Sequence, residues 1–152
     1  LFSMSKAFNM AGWRVGAVIS TPKLLDPIIR FKSNMDSGMF KAVQLAAAAA
    51  LKCEPTWFDS LNATYQSRKE IAYNILDSIN CEYTKDQSGM FVWAKHPQLT
   101  GRQLSDQILA ESRVFITPGF IFGDQGSDYV RLSLCSPINR LEEAHQRIIE
   151  SL

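Results

Sequence analysis

Two short apolar segments near the start of the chain constrain its topology most. Leu1 to Met4 and Val15 to Ile19 (Val-Gly-Ala-Val-Ile) both read as β-strands. About ten residues separate them, and a parallel crossover needs a dozen or more. The spacing therefore predicts an antiparallel pair. Whatever leaves the first strand and whatever enters the second then lie at the same edge of the sheet. Lys6 leaves the first and Arg14 enters the second, so the two side chains can converge on one ligand.

The run that joins them is Ser3-Met4-Ser5-Lys6-Ala7-Phe8-Asn9-Met10-Ala11-Gly12-Trp13-Arg14-Val15-Gly16. It gathers an amine, two hydroxyls and a fixed cation near one turn. A lysine amine condenses with an aldehyde to give an imine that an incoming amino acid can exchange. Once free, the same amine can move a proton. Arg14 suits a phosphate dianion, because its planar fork donates two parallel hydrogen bonds and keeps its charge. Ser3 and Ser5 can add hydroxyl donors. Taken singly, a lysine after a strand is usually solvated and an arginine usually makes a surface pair. The whole run is what argues for a site.

The pattern Ser-x-Ser-Lys-x-Phe-x-Met-x-Gly-Trp-Arg-x-Gly resembles the cofactor-lysine segment of the fold type I, class I/II pyridoxal-phosphate aminotransferases. The resemblance implies that Lys6 is the catalytic lysine that carries pyridoxal 5'-phosphate. It implies that Ser3 and Arg14 bind the cofactor phosphate, with Ser5 a further cofactor contact. The segment from Lys32 to Phe40 looks most like the aspartate and LL-diaminopimelate branches of the family.

A second constellation lies far down the chain. Pro118-Gly119-Phe120-Ile121-Phe122-Gly123 is followed by Gly126 and by Tyr129-Val130-Arg131-Leu132-Ser133-Leu134. Alternation puts Tyr129, Arg131 and Ser133 on one face of a strand and the aliphatics on the other. The bland alternative is a half-buried strand with one polar face. The segment is similar to the family's Pro-Gly-x-x-Phe-Gly turn and Tyr-x-Arg-x-Ser strand, which implies that Arg131 binds the substrate α-carboxylate. Phe120 or Phe122 could then line the substrate mouth, whereas Phe91 and Trp93 read as core.

Composition excludes several classes. Net charge is +1 with the cations dispersed, so neither a nucleic-acid footprint nor a polybasic membrane patch is expected. The longest apolar stretch, Leu45 to Leu51, is far too short to span a bilayer. Cys53, Cys81 and Cys135 form an odd set without Cys-x-x-Cys spacing and read as reduced thiols of a cytoplasmic protein. His96 and His145 are isolated, so no metal site is implied.

The predicted fold class is α/β. Residues 1–65 are expected to end a large pyridoxal-phosphate-binding domain, a mixed sheet with one antiparallel strand. Residues 66–152 are expected to form a small α+β C-terminal domain, with an interdomain helix over about 56–79. Helices are predicted over Pro22 to Lys32, with Leu24, Leu25, Ile28, Ile29 and Phe31 as an apolar face, and over Met39 to about Leu51. Thr56 reads as the N-cap of the long helix. Strands follow over Glu82 to Thr84, Met90 to Lys95, Val114 to Thr117 and Tyr129 to Leu134. Further helices span Gly101 to Ser112, capped by Thr100, and Asn139 to Leu152.

Enzymes of the resembled family are about two to three times as long, so the chain reads as the C-terminal portion of one. The phosphate loop, the aromatic that stacks on the ring, the Asp that pairs with the pyridine nitrogen, and the Asn and Tyr that bond the ring hydroxyl are not among these residues. The function implied is transfer of an amino group between an amino acid and a 2-oxo acid, by a homodimer when full length. A lyase or synthase on the same fold, or a non-catalytic isolated small-domain fragment, are the alternatives.

Overall fold

The computed structural model describes residues 1–151. They form two compact units, one over Leu1–Trp57 and one from Phe58 onward.

The first unit begins with the predicted antiparallel pair. β1 (Phe2–Ser3) runs against β2 (Gly16–Ala17), with Phe2 opposite Ala17 and Ser3 opposite Gly16. Both strands are shorter than their apolar runs. Ser3 is the reason at the first strand: its backbone is extended (φ −125°, ψ 132°) and its hydroxyl accepts the Ser5 N–H, which commits the chain to the one-turn helix α1 (Met4–Ala7). Gly16 explains the close approach at the second. A β-carbon there would lie 2.6 Å from the carbonyl oxygen of Phe2, so only glycine lets the two backbones meet.

α2 (Pro22–Met35) starts on a proline, whose fixed φ suits a first helical position. It runs past the expected stop at Lys32. Ser33 and Asn34 read as breakers, but their side chains donate back to the Arg30 carbonyl at 3.0 and 2.7 Å and stay in the helix. The apolar face is not covered within the described residues. Leu24, Ile29 and Phe31 are more than half exposed, and only Leu25 is half-buried. α3 (Lys41–Ala50) follows.

α4 (Pro55–Ser78) is the longest helix, at 24 residues. Thr56 is not its N-cap. Pro55 already occupies the first helical position, which needs no N–H donor, and so the helix begins one residue earlier. Its stripe is graded: Leu61, Tyr65 and Arg68 are half-buried, whereas Ala72, Ile75 and Leu76 are buried.

The second unit is built on a three-stranded antiparallel sheet in the order β3-β5-β4, from β3 (Phe91–Lys95), β4 (Thr117–Pro118) and β5 (Tyr129–Ser133). In register, Trp93 faces Arg131 on one side and Thr117 faces it on the other. The strand expected over Glu82 to Thr84 contracts to a single bridge, Glu82 with Lys95. The strand expected from Val114 begins only at Thr117, because Arg113 in the left-handed region (φ 56°) must first turn the chain out of α5. Pro118 sits in an edge strand, where its missing N–H costs no ladder bond.

α5 (Gly101–Ser112) has the predicted Thr100 cap, completed as a capping box by Gln103. Gly101 presses against the start of β5. A β-carbon there would collide with the Tyr129 carbonyl oxygen, and its N–H donates to Ser127 O at 2.9 Å. α6 is Ile138–Ser151; the expected final residue of that helix, Leu152, lies outside the described residues.

The core gathers Val92 and Ala94 of β3 and Val130 and Leu132 of β5 under α4, α5 and α6. Phe91 and Trp93 are therefore not core. They are half-buried on the opposite face of the sheet, because the pleat turns alternate residues outward and Val92 and Ala94 take the inner positions.

Candidate functional site

In the first unit, the Ser3–Gly16 pair sets the geometry. Lys6 lies three residues beyond Ser3, in α1, and Arg14 two residues before Gly16. Both thus flank the same end of the ladder, as the strand spacing required. Met10 N–H and Phe8 N–H both donate to the Met4 carbonyl, and Met4 and Met10 are buried, so the loop between is folded back on itself. Asn9 (φ 53°) takes the left-handed turn that this requires.

Arg14 also sits in the left-handed region (φ 51°, ψ 49°), at the end of a short 3-10 turn over Ala11–Trp13. One terminal nitrogen donates to the Ala11 carbonyl at 2.9 Å. That bond uses one of five guanidinium donors and leaves the rest of the fork free. Lys6 and Arg14 are exposed, and among the described residues neither forms an ion pair. The Ser3 hydroxyl spends a lone pair on the Ser5 N–H and keeps its own proton to donate. Ser5 is half-buried beside it. An amine, a guanidinium fork and a hydroxyl donor, none of them neutralised, suit an anionic aldehyde.

The second unit holds Arg131. It is half-buried on the outer face of β5 together with Tyr129, as alternation required. Its Nε is buried and has no hydrogen-bond partner among the described residues. No carboxylate pairs with it among the described residues. Its guanidinium carbon lies 4.0 Å from the ring centroid of Phe91 and 4.2 Å from that of Phe122. Sequence reasoning left Phe122 undecided and put Phe91 in the core. The signal that would have found Phe91 is register: with Trp93 opposite Arg131, Phe91 shares the outer face.

Phe122 is brought there by its loop. Residues Gly119–Phe122 form a 3-10 turn, and Gly123 then adopts φ +124°, a conformation that side chains disfavour. Phe122 meets Trp93 edge-on at 5.9 Å, and Trp93 stacks on Tyr129 at 5.3 Å. The ammonium of Lys95 closes the row, 6.0 Å from the Tyr129 ring and 3.6 Å from the Asp128 carboxylate.

Comparison with known proteins gives the family. The sequence profile of the family described as aminotransferase class I and II matches residues 1–148. The LL-diaminopimelate aminotransferase of Dehalococcoides mccartyi is 37% identical over 142 residues, which are 93% of this chain and 37% of that protein. That of Maridesulfovibrio salexigens is 37% identical over 147 residues, 96% of this chain and 38% of its own. Among solved structures, apo BacF from Bacillus subtilis superposes with a TM-score of 0.86 at 34% identity, over 99% of this chain and 39% of that one. An aromatic aminotransferase from Pyrococcus horikoshii gives 0.85 at 29% identity, over 97% and 40%. This chain belongs to the class I and II aminotransferase family. It spans about two-fifths of the length of the relatives it matches.

Proposed function

We propose that these residues serve a pyridoxal-phosphate-dependent aminotransferase, which moves an amino group between an amino acid and a 2-oxo acid. The observation that carries the reading is the grouping of Lys6, Arg14 and the Ser3 hydroxyl at one end of the β1–β2 ladder, the two cations without ion-pair partners among the described residues. Arg14 and Ser3 hold the cofactor phosphate by charge-assisted bonds. Ser5 is a further donor beside them. The Lys6 amine holds the cofactor aldehyde and afterwards moves a proton to or from the substrate α-carbon. Pyridoxal phosphate, when bound, supplies the electron sink for that proton transfer. Arg131 fixes the substrate by its α-carboxylate.

We read residues 1–65 as the end of the large domain and 66–152 as the small one, joined through α4. The free thiols Cys53, Cys81 and Cys135 support a reducing, cytoplasmic setting. The exposed apolar face of α2 supports a homodimer.

Borohydride reduction in the presence of pyridoxal phosphate tests the central assignment. Peptide mass mapping is expected to find the phosphopyridoxyl group on Lys6, and Lys6→Ala to abolish it. Arg14→Ala is expected to raise the cofactor concentration needed. Labelling spread over other lysines, undiminished in Lys6→Ala, would sink the reading.

A further inference from the structure

We infer that Phe91 and Phe122 are positioning residues for Arg131, holding its guanidinium between their rings so that only its two terminal nitrogens meet the substrate carboxylate. The inference rests on the reading of Arg131 as the carboxylate-binding arginine and adds the groups that aim it.

Two rings and a buried edge crowd the guanidinium. Phe91 covers it at 4.0 Å and Phe122 at 4.2 Å. The Nε edge is buried with no partner among the described residues. Among the described residues the terminal nitrogens have no hydrogen-bond partner, and unlike Nε they are not buried, so that end can meet a ligand. A carboxylate reaching it lies in the guanidinium plane and accepts two parallel bonds.

Aromatic rings are suited to this task. A ring face attracts a cation through its quadrupole without taking up an N–H group. An Asp or Glu in either place would fix the arginine too, but it would occupy the fork and compete with the substrate. The two rings also come from independent supports. Phe91 is diagonal to Arg131 across the β3–β5 register and moves only with the sheet. Phe122 rides on the glycine-rich turn and is backed by Trp93. The Arg131 side chain is therefore ordered before substrate arrives, which lowers the entropy lost on binding.

The test uses the holoenzyme with Phe91→Leu, Phe122→Leu, Phe91→Tyr and Arg131→Lys. Leucine keeps apolar volume and removes the ring face; tyrosine keeps the face. Both leucine variants are expected to raise KM for the amino acid and the 2-oxo acid by roughly tenfold, with kcat changed far less. Phe91→Tyr is expected to restore KM. In NMR spectra, the Arg131 side-chain signals are expected upfield, shifted by ring currents, and each leucine variant should reduce that shift while Phe91→Tyr retains it. If both leucine variants keep the parent KM while Arg131→Lys raises it, the positioning role falls and the carboxylate role stands. If Arg131→Lys also keeps the parent KM, the carboxylate role falls and the positioning role falls with it. An equal rise of KM in Phe91→Leu and Phe91→Tyr would mark Phe91 as packing alone and overturn the inference for it.

Discussion

Gly119 and Gly126 meet backbone to backbone, so that a β-carbon on either would overlap the carbonyl oxygen of the other. The same position on Gly119 would lie 2.7 Å from the tip of the Trp93 ring and 2.8 Å from the Tyr129 carbonyl. The turn that carries Phe122 is thus clamped on β5 through contacts that only glycine permits. The two glycines explain the spacing of the motif: one sets the turn against the strand and the other receives it.

Gly119→Ala is therefore expected to destabilise the fold by about 1–3 kcal/mol, the usual cost of overpacking. It should also weaken substrate binding, because the backbone shift that relieves the clash displaces Phe122 from Arg131. Urea unfolding and the KM of the holoenzyme check both effects. Gly12→Ala is the control, since a β-carbon there meets nothing within 4 Å.

Arg131→Lys is expected to weaken binding of every α-amino acid by about 2–3 kcal/mol, since a point charge replaces a two-pronged donor. Arg131 and the phosphate-binding candidates lie in different units, so cofactor affinity is expected to stay near that of the parent. Titration with a substrate analogue and with cofactor separates the two. Loss of cofactor affinity with substrate affinity intact would remove Arg131 from the carboxylate role.

Much of this arrangement was legible because it follows from constraints that need no neighbours. About ten residues between two apolar runs favour an antiparallel return, which places Lys6 and Arg14 at one ladder end. Thr100 followed by Gln103 spells out the cap of α5. The misreadings have equally local causes. In Phe91-Val92-Trp93-Ala94 every residue is apolar, so alternation exists without saying which parity faces the core. The partner strand resolves it: Arg131 cannot face the interior unpaired, and Trp93 pairs with Arg131. Ser33 and Asn34 looked like a stop because their side chains compete for backbone groups, yet here they bond to the helix they occupy. The apolar face of α2 was also legible, and among the described residues it stays exposed.

His96 gives a stability prediction away from the site. Its Nδ1 accepts the N–H groups of Gln98 at 3.1 Å and Leu99 at 3.0 Å, just ahead of the Thr100 cap. His96→Ala strands two donors and loosens the entry to α5, at an expected cost of about 1–2 kcal/mol. His96→Asn, which can bond its own backbone two residues on, should recover part of it. Denaturation midpoints of the two variants give the comparison.

A buried thiol and a half-buried phenol contribute to the response to alkali. Burial pushes the Cys81 thiol from 9.0 up to about 12. Burial, and after it the 2.7 Å hydrogen bond to Asp77, raises the Tyr83 hydroxyl from 10.0 to about 12. Both groups thus release their protons in the unfolded chain well before the fold does. Between the unfolded and folded values the unfolded state binds fewer protons, so the slope of unfolding free energy with pH is negative. Stability is whole below pH 9 and drains away from there toward 12. Cys81 is only 8% exposed and carries most of the effect; Tyr83 is half-exposed, and solvent screens its share. One full proton corresponds to about 1.4 kcal/mol per pH unit. Urea unfolding from about pH 8 to about pH 11 is expected to trace this decline, and Cys81→Ala to flatten it relative to its own value at pH 8. A Cys81→Ala curve parallel to that of the parent would show that the thiol keeps its ordinary acidity and that some other group drives the loss.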